Sequence, residues 1–88
     1  MTKIRLAHLR TQGINFAVFA ADAPSHRDRD RGQLLAELTA EARRSGLRVD
    51  KAALAFSQSG RQTFYGTPDL VRFLSRTGVS RWTHTLTV

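Results

Sequence analysis

The 88 residues of the sequence include no cysteine. This absence excludes disulfide bridges, thiolate metal sites and a cysteine nucleophile. Small secreted domains usually depend on disulfides, so a reducing, cytoplasmic location is expected. Long apolar runs are also missing: no segment approaches the about 20 consecutive apolar residues of a membrane-spanning helix. The first residues lack the apolar core of a signal peptide. We therefore expect no membrane partner.

Acidic residues are scarce. Seven Asp and Glu stand against fourteen Lys and Arg, which gives a formal net charge of +7, and twelve of the fourteen cations are Arg. Arginine makes planar, bidentate contacts with phosphate and carboxylate groups and stacks on rings. A charge of this size concerns the choice of partners rather than the fold. The arginine bias suits a phosphate-bearing partner, although richness in arginine also follows from GC-rich coding.

Recognisable cofactor motifs are absent as well. No glycine-rich phosphate loop or nucleophile elbow is present, and the three histidines, His8, His26 and His84, lack the spacing of metal ligands. We expect no cofactor and no metal. A chain of this length forms one domain, 1–88, and buries only about 60–65% of its unfolded surface. The apolar share of 41% is sufficient for a folded core.

Periodicity in the sequence predicts seven elements. Apolar and polar residues alternate over 3–10 and 14–21 around a Gly13 turn, and again over 52–57 and 61–65 around Ser59 and Gly60, so each pair of segments predicts a hairpin. Helices are predicted over 31–45, where Asp30 and Gln33 have capping-box spacing, and from Pro68 to Gly78. Residues 81–88 form a closing strand.

The predicted order is β-β-α-β-β-α-β, which indicates an α+β domain. Without its first strand the order is βαββαβ, that of the ferredoxin-like fold, in which two helices cover one face of an antiparallel sheet. The chain would then be a ferredoxin-like domain preceded by an extra N-terminal strand. Residues 3–10 would lie at an edge of the sheet, or form an arm exchanged with a partner subunit.

Side-chain parity then predicts a binding surface. If Ile14, Phe16, Val18, Leu54, Phe56, Trp82 and Leu86 face the helices, the opposite face is uncovered, with four cations, two exposed rings and no acid. Single-stranded nucleic acid is bound on such faces, where cations contact phosphates and bases stack on rings. The sequence thus predicts a non-catalytic module for single-stranded RNA or DNA, with the site residues Lys3, Arg5, Phe19, Arg61, Tyr65 and Arg81.

The segment Gly60-Arg61-Gln62-Thr63-Phe64-Tyr65 resembles the aromatic signature of the third strand in the RNA-recognition-motif family, although the second glycine of that signature is missing. The resemblance covers about two strands. It implies a sheet on which RNA bases stack, with Tyr65 as a stacking residue.

Two alternatives remain open. Ala17, Ala53 and Ala55 make the same face small and flat, which suits a homodimer whose sheet faces or first strands meet. Separately, Asp22 ends a strand before a polar loop with Ser25, His26 and Asp28. This arrangement resembles that of small CRISPR-associated nucleases, in which paired aspartates bind a divalent metal across a dimer. The simpler interpretation is that Asp22 is a turn residue before Pro24.

Overall fold

A computed structural model of the protein describes residues 3–21 and 30–88. The predicted element order is confirmed. In chain order the elements are β1 (Lys3–Thr11), β2 (Ile14–Ala20), α1 (Arg31–Arg44), β3 (Lys51–Gln58), β4 (Arg61–Gly66), α2 (Pro68–Thr77) and β5 (His84–Thr87). The residues of the nuclease hypothesis lie outside the described ranges: Asp22, Ser25, His26 and Asp28. The structure therefore does not test that hypothesis.

Local sequence signals form the turns and helix ends that they predict. Both hairpin turns have positive φ at two successive residues, 52° and 77° at Gln12 and Gly13 and 52° and 79° at Ser59 and Gly60. Positive φ at both central positions gives the primed turn whose twist matches that of the strands. At the start of α1, the backbone N–H of Gln33 donates to the Asp30 carboxylate over 2.9 Å, which satisfies one otherwise unpaired helix donor.

The five strands form one mixed sheet in the order β4-β3-β2-β1-β5. Neighbouring strands are antiparallel except β2 and β3, which are parallel and are joined through α1. The α+β class is therefore confirmed, but the ferredoxin-like arrangement is not matched. Residues 3–10 are neither an edge strand nor an exchanged arm, because β1 lies inside the sheet with β2 and β5 on its two sides.

The two helices pack on opposite faces of the sheet, not on the same face as predicted. Helix α1 packs through Leu34 and Leu38 against a cluster that includes Phe19 and Leu54. Helix α2 packs through Leu70 and Leu74 against a different cluster, which contains Ala7, Val18, Ala53 and Ala55. Adjacent residues on a strand point to opposite faces, so these two clusters are the two sides of the sheet. Below, they are called the α1 face and the α2 face.

The apolar composition of the central strands explains this two-sided arrangement. Residues 17–20 in β2 and 53–55 in β3 are all buried. A strand that is apolar on both sides is stable only when both faces of the sheet are covered, as is usual for parallel strands. Alternation in β2 pointed to one apolar row of side chains for both helices, but the other row is equally apolar. Each row is therefore covered by one of the two helices.

After α2 the chain crosses the α2 face to reach the far edge of the sheet. Val79 and the Gln62 side chain exchange two hydrogen bonds, 3.0 Å and 3.3 Å long, beside β4. Trp82 then packs against the α2-face cluster, and the N–H of Thr83 donates to the Leu6 carbonyl over 3.0 Å. Residues 81–83, predicted as strand, form this crossing, and β5 begins at His84. Within the described parts of the chain, neither helix has the length and apolar character needed to cross a membrane.

Candidate nucleic-acid interface

The structure divides the six predicted site residues among three places. Lys3 and Arg5 lie on β1 and Arg81 immediately precedes Trp82, all near the β5 edge. Arg61 and Tyr65 lie on β4, at the other edge of the sheet. The sixth, Phe19, lies in the centre of the core. The single uncovered sheet face that would unite them does not exist.

Phe19 is the clearest correction. Its side chain is 0% exposed and packs in the cluster beneath α1, so it does not reach a nucleobase. Ala17, Ala53 and Ala55 are also buried. The flat face proposed for a homodimer is therefore covered by the helices of the same chain. Whether the chain dimerises through another surface stays a prediction.

A smaller uncovered area of sheet does exist on β1 and β5. Lys3 lies directly opposite Thr87, and Arg5 opposite Thr85, in the antiparallel register of these strands. Facing residues of a strand pair share a side of the sheet, and all four side chains are exposed. We call these four residues, together with Arg81 and Trp82, the β1–β5 patch. No acidic residue belongs to it.

An aromatic ring completes the patch. The guanidinium carbon of Arg5 lies 5.4 Å from the centroid of the Trp82 ring, within the range of a cation–π contact. Trp82 also packs against the α2-face cluster, which fixes the ring at the margin of the patch. The indole and guanidinium groups thus place two planar surfaces next to exposed Lys3.

Strand alternation explains why the patch is polar. Ile4 and Leu6 on β1 and Leu86 on β5 belong to the cluster on the α1 face. The residues between them must therefore point to the α2 face. Helix α2 packs on β3 and β4, so the α2 face of β1 and β5 lies beyond it. Lys3 and Arg5 therefore share this face with Thr85 and Thr87.

The β4 edge carries a second, separate group of basic and aromatic residues. Tyr65 is opposite Leu54 in the register of β3 and β4, so it lies on the α1 face, and it is 39% exposed. Arg61 lies on the same side, four residues along the strand. The Arg31 guanidinium is 4.9 Å from the Phe56 ring centroid nearby. This group is on the opposite face from the β1–β5 patch and three to four strand spacings away, about 14–19 Å.

The structure also brings together two histidines that sequence spacing did not connect. The rings of His8 and His84 have centroids 5.9 Å apart and are perpendicular. His84 is paired with Leu6, so both imidazoles lie on the α1 face at the β5 edge. The sequence does indicate that each histidine lies on the apolar side of its strand, because each alternates with apolar residues. Only the β1–β5 pairing shows that the two rings are neighbours.

Asp50 and Asn15 form a polar tie at the start of the two central strands. Oδ2 of Asp50 accepts from the backbone N–H of Asn15 over 2.9 Å and from its side-chain amide over 3.3 Å. The N–H of Asp50 donates to the Asn15 carbonyl over 2.8 Å. The hydrogen bonds from Asn15 lower the pKa of Asp50, and the positive charges of Arg48 and Arg43 lower it further. Asn15 itself is buried, with only 6% of its surface exposed.

Positive charge is spread widely over the surface. Every Lys and Arg in the described ranges is exposed. Part of this charge is locally compensated, since Arg44 pairs with Glu41. Arg43 donates to the neutral Val49 carbonyl over 2.8 Å, which holds its side chain and leaves its charge in place. Among residues 3–21 and 30–88, no three His, Asp or Glu side chains are grouped as metal ligands would be.

Comparison with known proteins adds no assignment. No protein-family model matches the chain, and neither a curated protein nor a solved structure matches it significantly. A functional hypothesis for this chain therefore rests on its own geometry and charge.

Proposed function

We propose that the protein binds single-stranded nucleic acid through the β1–β5 patch. The observation that supports this most directly is the array of Lys3, Arg5, Thr85 and Thr87 on an exposed area of sheet, with the Trp82 ring at its margin. The net charge of +7 provides the long-range attraction for a polyanion.

The chemistry of each group matches a part of the ligand. The Lys3 ammonium and the Arg81 guanidinium contact phosphate oxygens, and the threonine hydroxyls donate to phosphate or sugar oxygens. The Arg5 guanidinium and the Trp82 ring supply planar surfaces for bases, since bases stack on both aromatic and guanidinium planes. Base stacking on an aromatic side chain contributes about 1–3 kcal/mol.

A single strand fits this surface better than a duplex. The patch is two β-strands wide and offers no protruding helix for a major groove. Stacking on Trp82 also requires unpaired bases, which a duplex does not present. The proposal keeps the nucleic-acid partner expected from the sequence, and it moves the contact area from a whole sheet face to one edge of the sheet.

The test compares two double variants that remove the same charge. Lys3→Gln with Arg5→Gln alters the patch, whereas Arg72→Gln with Arg76→Gln alters exposed residues of α2. Affinity for a labelled single-stranded oligonucleotide is measured by fluorescence anisotropy. At up to about 1 kcal/mol per lost contact, the patch variant binds up to about thirty-fold more weakly. The α2 variant stays much closer to the wild type.

Trp82 reports on the location of binding, because it is the only tryptophan in the sequence. Its fluorescence is expected to be quenched when the unlabelled oligonucleotide saturates the wild-type protein. Equal weakening in the two double variants, or binding with no change in Trp82 emission, would show that the nucleic acid lies elsewhere. Circular dichroism confirms that both variants are folded.

A further inference from the structure

We infer that His8 and His84 form a site that cleaves single-stranded RNA by general acid–base chemistry without a metal ion. The inference rests on the proposed function, because the β1–β5 patch holds the substrate beside the two imidazoles. It departs from the non-catalytic module that the sequence predicts.

The hydrogen bond of His8 sets the position of its proton. Nε2 of His8 lies 2.8 Å from the Arg48 carbonyl oxygen. A carbonyl oxygen only accepts, so Nε2 carries hydrogen in every protonation state that keeps this bond. In the neutral ring Nδ1 is therefore the unprotonated nitrogen. A backbone carbonyl that fixes the tautomer in this way leaves a defined basic nitrogen.

Thr83 orients the second imidazole. Its Oγ1 accepts from the backbone N–H of His8 over 3.1 Å and lies 2.8 Å from Nδ1 of His84. Because Nδ1 of His84 is engaged by the hydroxyl, Nε2 is the nitrogen that remains for a ligand. The His84 side chain is exposed. The two histidines thus offer different nitrogens, Nδ1 of His8 and Nε2 of His84.

The separation of the rings suits one phosphodiester group. The ring centroids are 5.9 Å apart, so the two imidazoles are close enough for each to form a hydrogen bond of about 2.6–3.2 Å to a different oxygen of the same phosphodiester. Exposed Arg10 lies two residues beyond His8 on the same side of β1, and exposed Arg48 follows α1. Arg48 also faces the Asp50 carboxylate, but the two arginines exceed that single negative charge and favour an anion at this end of the α1 face.

The two sites share one edge of the sheet. His84 and Thr85 are consecutive residues of β5 and therefore point to opposite faces. In the sheet order, β5 is the last strand. An RNA strand held by Lys3 and Arg5 on the α2 face can turn around β5 and place a later phosphate beside His84 on the α1 face.

The proposed step transfers the RNA phosphate to the neighbouring 2′-hydroxyl. His8 Nδ1 accepts the proton of the 2′-hydroxyl as the O2′–phosphorus bond forms. The phosphorus–O5′ bond breaks, and protonated His84 donates its Nε2 proton to the departing O5′. The products are a 2′,3′-cyclic phosphate and a 5′-hydroxyl, with no oxidant or reductant required. Proton exchange with water then restores both imidazoles. Acid–base catalysis by one such group typically contributes about 10²–10⁴-fold.

The experiment uses a short single-stranded RNA and an uncleavable analogue of the same sequence with 2′-O-methyl groups. Cleavage of the RNA is followed in EDTA for the wild type, His8→Ala, His84→Ala and the double variant, all purified identically. Binding of the analogue is measured for the same four proteins. We expect metal-independent cleavage by the wild type and at least about 100-fold slower cleavage by each single variant. Affinity for the analogue is expected to fall far less than the cleavage rate in every variant, since most of the binding contacts lie in the β1–β5 patch.

Binding and cleavage are read separately, so the two proposals fail in different ways. A wild type that binds the analogue but leaves the RNA intact overturns the histidine site and leaves the proposed function standing. Cleavage that persists in the double variant, or that stops in EDTA, also overturns the histidine site. A wild type that neither binds nor cleaves overturns both proposals.

Discussion

At the residue scale, Gly66 marks the closest approach of β4 to β3. A Cβ atom built at this position would lie 2.9 Å from the Ala52 carbonyl oxygen and 3.0 Å from the Ala53 Cβ. Backbone atoms cannot move aside cheaply, so we expect Gly66→Ala to lower the free energy of unfolding by about 1–3 kcal/mol. Urea denaturation of the purified variant measures this change.

Gly32 provides the matched control at the same scale. A Cβ atom there would meet the Asp30 carboxylate and the Tyr65 hydroxyl, both at 3.3 Å, and the end of the Tyr65 side chain can move. Alanine in a helix is favoured over glycine by about 1 kcal/mol. The Gly32→Ala variant should therefore remain within about 1 kcal/mol of the wild type. Equal destabilisation of the two variants would contradict a steric requirement for glycine at position 66.

At the scale of elements, sequence alternation was reliable within each strand pair and unreliable between the pairs. Lys3 and Arg5 were correctly placed together, as were Arg61 and Tyr65, because each hairpin or strand has its own polar row. Phe19 was misplaced because β2 is apolar on both sides, and alternation cannot select a face when both rows are apolar. The continuous apolar runs of β2 and β3 were the available signal for a central parallel pair.

The tie between β2 and β3 gives a prediction on pH. Hydrogen bonds from Asn15 lower the pKa of Asp50 in the folded state, so ionised Asp50 stabilises the fold above its unfolded pKa of about 3.9. That stabilisation is lost as the pH falls through the lower folded value. Asn cannot ionise, so the Asp50→Asn variant lacks this contribution throughout.

We expect the wild type to be more stable than Asp50→Asn at neutral pH, and the difference to shrink as the pH falls below about 4. Urea denaturation of both proteins at a series of pH values measures the difference directly. A stability difference that stays constant from neutral to acidic pH would contradict a role for the Asp50 charge.

At the scale of the whole molecule, the sequence predicted the order of elements, the two hairpins and the helix starts, because local signals such as Asp30, Gly13 and Gly60 determine them. It did not predict the order of strands in the sheet or the sheet face on which each helix packs. Both depend on which strands become neighbours. The His8–His84 pair follows from that choice, since the pairing of β1 with β5 joins the two ends of the chain. The same pairing creates the β1–β5 patch.

Net charge and local contacts can be separated through salt dependence. Lys3→Gln with Arg5→Gln and Arg72→Gln with Arg76→Gln both reduce the formal charge from +7 to +5, so their long-range attraction for nucleic acid falls equally. Each phosphate contact on a single strand contributes about 0.7 to the slope of log affinity against log salt. If Lys3 contacts a phosphate and Arg5 stacks on a base, their double variant has a slope shallower by about 0.7. The α2 variant keeps the wild-type slope while its affinity falls slightly. Matching slopes in the two variants would mean that the protein attracts nucleic acid through its overall charge, with no defined contact at the β5 edge.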